Sequence, residues 1–346
     1  MKKWIFAGLF FAAVAVCFVG CQPQQQQVQQ GQEEKKSSEL NGGPLLLSVD
    51  FEPNKTLVYN FVSERTMNVN LDPTGKYSKG KQGGKEQTQT EKLEMQIAYK
   101  PIKLDPYGIS IIEANCLSAK VTRSGSSRIK ETTDAVESLK GKSFTLKITP
   151  SGKIVDYSSL ENVSKELAEK AFGGGETKRG KVKNPDMVMD FLATQWNIWD
   201  STASIKNPLK GLNSKSKWST KLAAPMPFVS KIGRNAEYRL SGVKKTGNET
   251  LAEITSTYSL SGTPSNITLP YSGSFQMKGM FGFLQGYKVI SIDGKGTQLF
   301  DVNRGLIKSD TQNYEAKVSA AIFGLGKDDL TPNIKIDQTI TMTLVE

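Results

Sequence analysis

The 346-residue sequence predicts a mainly β fold of antiparallel strands, with two helices set between two strand-rich halves. Three observations carry that expectation. Apolar and polar residues alternate over most of the chain after Pro44, the period-2 signature of half-buried strands. Few residues, rich in Gly, Asn and Asp, separate neighbouring runs, and short turns demand antiparallel pairing. Only over residues 158–200 does the apolar period lengthen toward the 3.6 of a helix.

The chain begins with Lys2 and Lys3, then sixteen uncharged, mostly apolar residues, Trp4–Val19, closing on Phe18-Val19-Gly20-Cys21. A charged start, an apolar run and a small residue at the cut form a secretory signal. The last four residues resemble the lipobox of bacterial lipoproteins, with Phe18 where Leu is usual. That resemblance implies a signal peptide over 1–20 and diacylation of Cys21, a palmitate-type modification. A transmembrane anchor would need about 20 apolar residues, and this run is shorter. Val16 is too large to precede an alternative lipidated Cys17. A cut after Ala13-Val14-Ala15 would leave Val16-Cys17-Phe18-Val19 exposed on the new end.

Residues 21–43 read as the lipidated cysteine and a flexible tether. Eight glutamines lie in it, followed by Glu33, Glu34, Lys35 and Lys36, and nothing there buries enough apolar area to offset the entropy of ordering. Gln22 after the cysteine resembles the outer-membrane address of Gram-negative lipoproteins. The implied location is the cell envelope, lipid-anchored at the outer membrane and facing the periplasm or the surface.

Net charge is +11; losing Lys2 and Lys3, with no acidic residue in the signal, leaves +9. In the envelope such a surface meets anionic lipid or an anionic polymer before nucleic acid. The chain has no histidine. Ser-His-Asp and Cys-His nucleophiles and His-ligated zinc or iron all need one. With Cys17 removed and Cys21 acylated, Cys116 stands alone, next to Ile111, Ile112 and Leu117, and reads as a small core residue.

The folded region, 44–346, opens with alternation at Leu57, Tyr59 and Phe61 and at Met67, Val69 and Leu71, ended by Asp72-Pro73-Thr74-Gly75. Gly80–Glu91, polar and rich in Lys and Gln, reads as an exposed hairpin or loop. Strands are expected at Leu93–Tyr99 and Gly108–Val121. A hairpin follows over Ser143–Tyr157, its turn Thr149-Pro150-Ser151-Gly152 having Pro at the second position.

The midsection, 158–200, carries two helices. Leu160, Val163, Leu167, Ala168 and Ala171 share one face, with Ser159 as cap and Gly173-Gly174-Gly175 as terminator. The second helix starts at Asn184-Pro185, proline being well placed at the first helical position. Its bulky face holds Met187, Phe191, Leu192, Trp196 and Trp199. As an amphipathic stripe this face is core packing; the sharper reading is the lining of an apolar pocket, Met giving adaptable contacts and Trp a large apolar area.

Strands resume at Trp218–Leu222, Ala236–Val243, Leu251–Leu260, Gly273–Met277, Tyr287–Ile292, Thr297–Val302, Leu306–Asp310, Tyr314–Ala320 and Ile334–Val345, with turns at Lys245-Thr246-Gly247-Asn248, Asp293-Gly294 and Asn303-Arg304-Gly305. The region reads as one β-rich domain, 44–346, or as two subdomains, 44–205 and 206–346.

Catalytic motifs fail on context. Ser127-Arg128-Ile129-Lys130, Ser214-Lys215-Ser216-Lys217 and Lys245-Thr246-Gly247 match pieces of the penicillin-binding pattern, but they fall in strand or loop sequence and no S-D-N accompanies them. The three glycines before Lys178 and Arg179 lack the spacing of a phosphate loop; with Lys181 and Lys183 they read as a solvated basic linker. Asp186 and Asp190 lie one helical turn apart, where acids commonly serve the helix dipole. No catalytic residue, metal ligand or cofactor is assigned.

Two resemblances go further. Leu139-Lys140-Gly141-Lys142-Ser143-Phe144 through Ser151-Gly152-Lys153-Ile154, and Gly294-Lys295-Gly296 through Phe300-Asp301, resemble bacterial lipoproteins without assigned function that carry repeated β-rich halves. The architecture resembles half-barrel lipid and lipoprotein carriers, in which a curved sheet covers helices and leaves an apolar cavity. They imply a non-catalytic envelope lipoprotein that holds a lipid or acyl chain. A structural or assembly protein contacting envelope partners is the alternative, and a glycan-acting hydrolase the third reading.

Overall fold

The computed structural model describes residues 44–75, 86–125, 134–172, 187–223, 232–264, 286–321 and 332–345. These residues form one curved, open, antiparallel sheet of eleven strands with helices on one face. The first five strands, β1 (Leu57–Asn70), β2 (Gln87–Leu104), β3 (Ser110–Gly125), β4 (Ser143–Ile148) and β5 (Ile154–Asp156), step outward from the middle of the sheet to one edge.

Helices α1 (Ser158–Phe172), α2 (Val188–Asn197) and α3 (Asp200–Ala203) follow. Strands β6 (Lys217–Ala223), β7 (Ile232–Thr246), β8 (Glu249–Pro264), β9 (Gly286–Asp301), β10 (Leu306–Ala321) and β11 (Asn333–Val345) then return from the opposite edge to the middle. There β11 pairs with β1 from Val58↔Val345 to Asn70↔Asn333. The two strand-rich halves thus share one sheet, joined by the first strand and the last.

Alternation decides which face is buried. In β1, Leu57, Tyr59, Phe61, Ser63, Arg65 and Met67 point inward, and in β11 so do Ile334, Ile336, Ile340, Met342 and Leu344. One covered face and one solvated face is the usual state of an antiparallel sheet. Cys116 lies in the core at 1% exposure, and burial pushes its thiol up to about 11.

Several boundaries differ from the sequence reading. Gln87–Glu91 is strand, not loop: Gln89 and Glu91 are buried, and Glu91 is compensated by arginines from other strands. Asp293-Gly294 is not a turn, because β9 runs unbroken through it. Gly294 lies where two tyrosine rings cross the sheet: an added Cβ would sit 2.5 Å from Asn313 O and 2.9 Å from Tyr314 Cδ1. Leu306–Asp310 and Tyr314–Ala320 likewise merge into β10.

Helix α1 starts at Ser158, where the Asp156 carboxylate accepts from the Ser158 N–H at 3.1 Å and its hydroxyl at 2.9 Å. A third short helix, α3, follows the expected two. Asn184-Pro185, Gly173–Gly175, the basic linker, Gly273–Met277 and Ser127–Lys130 lie outside the described residues. So do Cys21 and the tether.

Candidate functional site

The surface between the helices and the inner face of the sheet holds the residues singled out in sequence. Met187, Phe191, Leu192 and Trp199 are each at most 1% exposed and belong to one apolar cluster. Phe191 meets Phe144 edge-on at 6.0 Å, and Trp199 meets Phe51 and Tyr99 at 5.5 and 5.9 Å. The side chain of Trp196 is outside the described set.

Hydrogen bonds add to these ring contacts where α2 and α3 touch the strands. Asp190, in the first turn of α2, accepts from Ser63 at 2.6 Å, from Gln338 at 3.0 Å and from Arg65 at 3.2 Å. Tyr99 donates to Gln195 at 2.6 Å and Ser201 to Gln298 at 2.5 Å. The Trp218 indole donates to the Ser201 carbonyl at 2.8 Å.

Asp190 belongs to a larger charged network in the first half. Arg65 spans Asp190 and Glu91, and Arg123 spans Glu91 and Asp134 at 2.7 and 2.5 Å. Burial pushes the Glu91 carboxyl up, but Arg65 and Arg123 outweigh it and hold Glu91 below its ordinary range. Asp134 goes the other way: burial raises it to about 6, against the pull of Arg123. Asp134 also accepts the Met187 N–H at 3.3 Å, so the network reaches the residue ahead of α2. Asp190 is thereby engaged as an ion-pair partner. Asp186, its neighbour in the sequence reading, lies outside the described residues.

The second half contains a different centre, built on Arg234 of β7. Its guanidinium carbon lies 4.6 and 4.8 Å from the ring centroids of Tyr258 and Tyr314, themselves 4.8 Å apart. Asp200 accepts from Tyr238 at 2.8 Å, and Asp310 accepts from Gln312 at 2.5 Å. Burial raises both carboxyls to about 6.

Arg65 and Arg234 escaped the sequence reading. The available signal was parity: each occupies an inward position of its strand, between Phe61, Ser63 and Met67 in β1 and beside Ala236 and Tyr238 in β7. A charged residue in register with apolar ones implies a buried partner.

Two open spaces matter. Between the end of α2 and strands β7, β10 and β11 lies a cleft of about 20 Å³, lined by Asn197, Ile198, Arg234, Asp310, Ile340 and Met342 among others. On the opposite face a trough of about 890 Å³ crosses the central strands, with Glu64, Lys92, Thr122, Lys295, Asn313 and Thr339 among its lining. Among the described residues no group of three or more His, Cys, Asp or Glu is placed to hold a metal, and no helix is long and apolar enough to cross a membrane.

No family model matches the chain, and no curated protein does. Among solved structures, one described as lipid–protein interactions in lipovitellin aligns at a TM-score of 0.44 with 10% identity, over 86% of this chain. This chain spans 26% of that one. DynF from the dynemicin biosynthesis pathway of Micromonospora chersina aligns over 94% of this chain and 92% of its own, at a TM-score of 0.18 and 7% identity.

Proposed function

We propose that the protein is a non-catalytic lipoprotein of the cell envelope, tethered to the membrane through Cys21, that holds an apolar ligand such as a lipid or acyl chain between the inner face of its sheet and α2–α3. The carrying observation is the make-up of that contact. An inner face rich in aromatic and aliphatic side chains is covered by short helices that meet it through ring contacts, hydrogen bonds and one ion pair. Helix α2 is a short cover, ten residues long. An acyl chain contributes about 0.8 kcal/mol per buried methylene, which over a long chain offsets displacement of such a helix.

The test is native mass spectrometry with lipid extraction on the mature chain, exported without its lipid anchor. A stoichiometric bound lipid supports the reading, and a bare protein of calculated mass rejects it. Anchoring is tested separately: membrane-extracted protein carries a diacylated Cys21, and an intact Met1 rejects that assignment.

One observation favours a scaffold instead. The cleft under α2 has room for about one water, and strands β5 and β6 end the sheet with one paired side each. An open edge accepts a strand from a partner. Crosslinking in cells that recovers a protein neighbour at β6, together with a lipid-free interior, would establish the assembly role.

A further inference from the structure

Residues 44–54, ahead of β1, run as a strap across one end of the sheet. Leu45 and Leu212 exchange backbone hydrogen bonds at 2.8 and 2.7 Å. The Val49 N–H donates to the Pro150 carbonyl, in the turn between β4 and β5, at 2.8 Å, and the Asp50 N–H to the Gly305 carbonyl, in the turn between β9 and β10, at 3.0 Å. The Asn54 N–H donates to the Pro101 carbonyl of β2 at 3.2 Å. The turn that follows β2 belongs to the same group, since a Cβ added to Gly108 would lie 3.1 Å from Pro150 Cγ. Leu47, Val49 and Phe51 point inward and close the core at this end, which leaves Leu46 outside.

Exposed apolar side chains gather on the segments that the strap ties together. Among the described residues nine large ones are exposed, and six of them are here: Leu46 in the strap, Ile102 and Leu104 at the end of β2, Tyr107 in the turn after it, Val155 in β5 and Leu209 in the short helical turn Pro208–Lys210. Leu209 and Tyr107 are nearly bare, at 96% and 87% exposure. Single exposed apolar residues are ordinary, whereas a group of them rimmed by polar residues marks a contact surface. The rim is basic. Lys103, Lys153, Lys206 and Lys210 are exposed and in no ion pair among the described residues. The acids are mostly engaged: Glu52 pairs with Lys55, Asp156 pairs with Lys147, and Asp105 accepts the Tyr107 and Ile109 N–H groups of its own turn, so that Asp50 is the remaining one.

We propose that this end of the fold docks on an anionic lipid surface, with Leu46, Tyr107 and Leu209 entering the head-group layer and the four lysines meeting lipid phosphates. Buried apolar area and attraction to anionic lipid together set the strength of such interfacial contacts, and a tyrosine is suited to the head-group level. The path of the chain favours a bilayer as the occupant. Pro44 lies against Gly211, where an added Cβ would be 2.5 Å from the Pro44 Cβ, so the stretch 21–43 joins the fold at this same end. A lipid on Cys21 therefore holds this end, and not the far ends of the strands, nearest the membrane. The setting rests on the anchored-lipoprotein reading above, to which it adds a second membrane contact that orients the domain.

The mature chain without its acyl groups is floated with vesicles of phosphatidylcholine alone and of phosphatidylcholine mixed with phosphatidylglycerol. The wild type is expected to partition onto the anionic vesicles, less so as salt rises. Tyr107→Ser combined with Leu209→Ser should lower that partition at least about ten-fold, and Lys206→Gln combined with Lys210→Gln at least about five-fold. Ile290→Ser is the control: Ile290 is also exposed, but it lies toward the far end of β9, and its loss should change nothing. Hydrogen exchange of the wild type needs no variant, and on anionic vesicles residues 105–109 and 206–211 should gain protection.

Absence of flotation with either vesicle overturns the docking surface while leaving the Cys21 anchor standing, because the chain tested carries no acyl group and the anchor is read from the mass of membrane-extracted protein. Flotation that the lysine changes abolish and the Tyr107 and Leu209 changes spare overturns the apolar contact in favour of a purely electrostatic one. A loss as large with Ile290→Ser, or protection confined to other segments, overturns the assignment to this end. Self-association that the Tyr107 and Leu209 changes abolish, without flotation, overturns the lipid in favour of a second copy of the chain.

Discussion

Each half of the sheet buries an arginine on its inner face, and the two cations are held differently. In the first half Arg65 sits in a chain of alternating charges, Asp190, Arg65, Glu91, Arg123 and Asp134, that ties β1, β2 and β3 to the helical segment. In the second half Arg234 rests on Tyr258 and Tyr314, and its Nε finds no acceptor among the described residues. The tyrosine pairs differ in parallel. Tyr59 and Tyr99 direct their hydroxyls to the Ile307 carbonyl and to Gln195, at 2.9 and 2.6 Å, and so lock the two halves and α2 together. Tyr258 and Tyr314 hydrogen-bond within their own half, to Ser256 and Gln312. Ion pairs hold the cation of the first half, whereas ring faces hold that of the second.

The sharpest way to break that comparison is to delete each cation. Arg65→Met leaves Glu91 and Asp190 buried with one partner fewer, and is expected to cost about 3–5 kcal/mol in urea unfolding, the usual loss when one side of a buried pair is removed. Arg234→Met breaks no ion pair among the described residues but removes a cation that attracts the buried Asp200 and Asp310, and should cost under about 2 kcal/mol, chiefly the cation–π contribution. Equal losses at the two positions would show that Arg234 is as structural as Arg65.

Protonation sharpens the same contrast. The folded Asp310 carboxyl, raised by burial to about 6 from 3.8, binds a proton more readily than the unfolded one. Its ionisation therefore costs the folded state nothing below about pH 4, and the cost grows until about pH 6 and is constant above. Asp310→Asn should stabilise the protein by up to about 3 kcal/mol at pH 7 and leave it unchanged at pH 3.5. Glu91, held below its ordinary range by two arginines, has the opposite sign: its contribution is full above about pH 4.5 and is lost as pH falls through its depressed value. Thermal melts of Asp310→Asn and Glu91→Gln across pH 3.5–8 should diverge in these opposite directions.

What was legible in the sequence follows from where the information lies. Alternation at Leu57, Tyr59 and Phe61 and at Ile334 through Leu344 fixed both central strands, because a half-buried strand records its burial in its own residues. The 3.6 spacing of Met187, Phe191 and Leu192 likewise marked a buried helix face. Gln89 and Glu91 looked like loop because what makes their burial tolerable, Arg65 and Arg123, sits on neighbouring strands far along the chain. Arg234 was invisible for a related reason: its environment is assembled from β7, β8, β10 and the end of α2. Local pattern carries the strands, whereas the site depends on which strands become neighbours.

Asp293-Gly294 shows the same limit at a single residue, and gives the smallest of the expected effects. A glycine after an aspartate between apolar runs reads as a turn, yet Gly294 lies inside β9 with ordinary strand backbone, and steric room is what it supplies. An alanine Cβ there would press on the Asn313 carbonyl at 2.5 Å, a backbone atom that moves only with the strand, and on the Tyr314 and Tyr258 rings at 2.9 and 3.2 Å. Gly294→Ala is expected to cost about 1–3 kcal/mol, the usual range for overpacking, and to disturb the ring pair under Arg234. Gly242 in β7 is the matched control, since an added Cβ there meets nothing within 4 Å. Gly242→Ala should be neutral or stabilise by up to about 1 kcal/mol through the unfolded chain. If urea midpoints place the two variants together, the glycine serves the strand generally; if only Gly294→Ala is destabilised, that glycine makes the room for the tyrosine pair under Arg234.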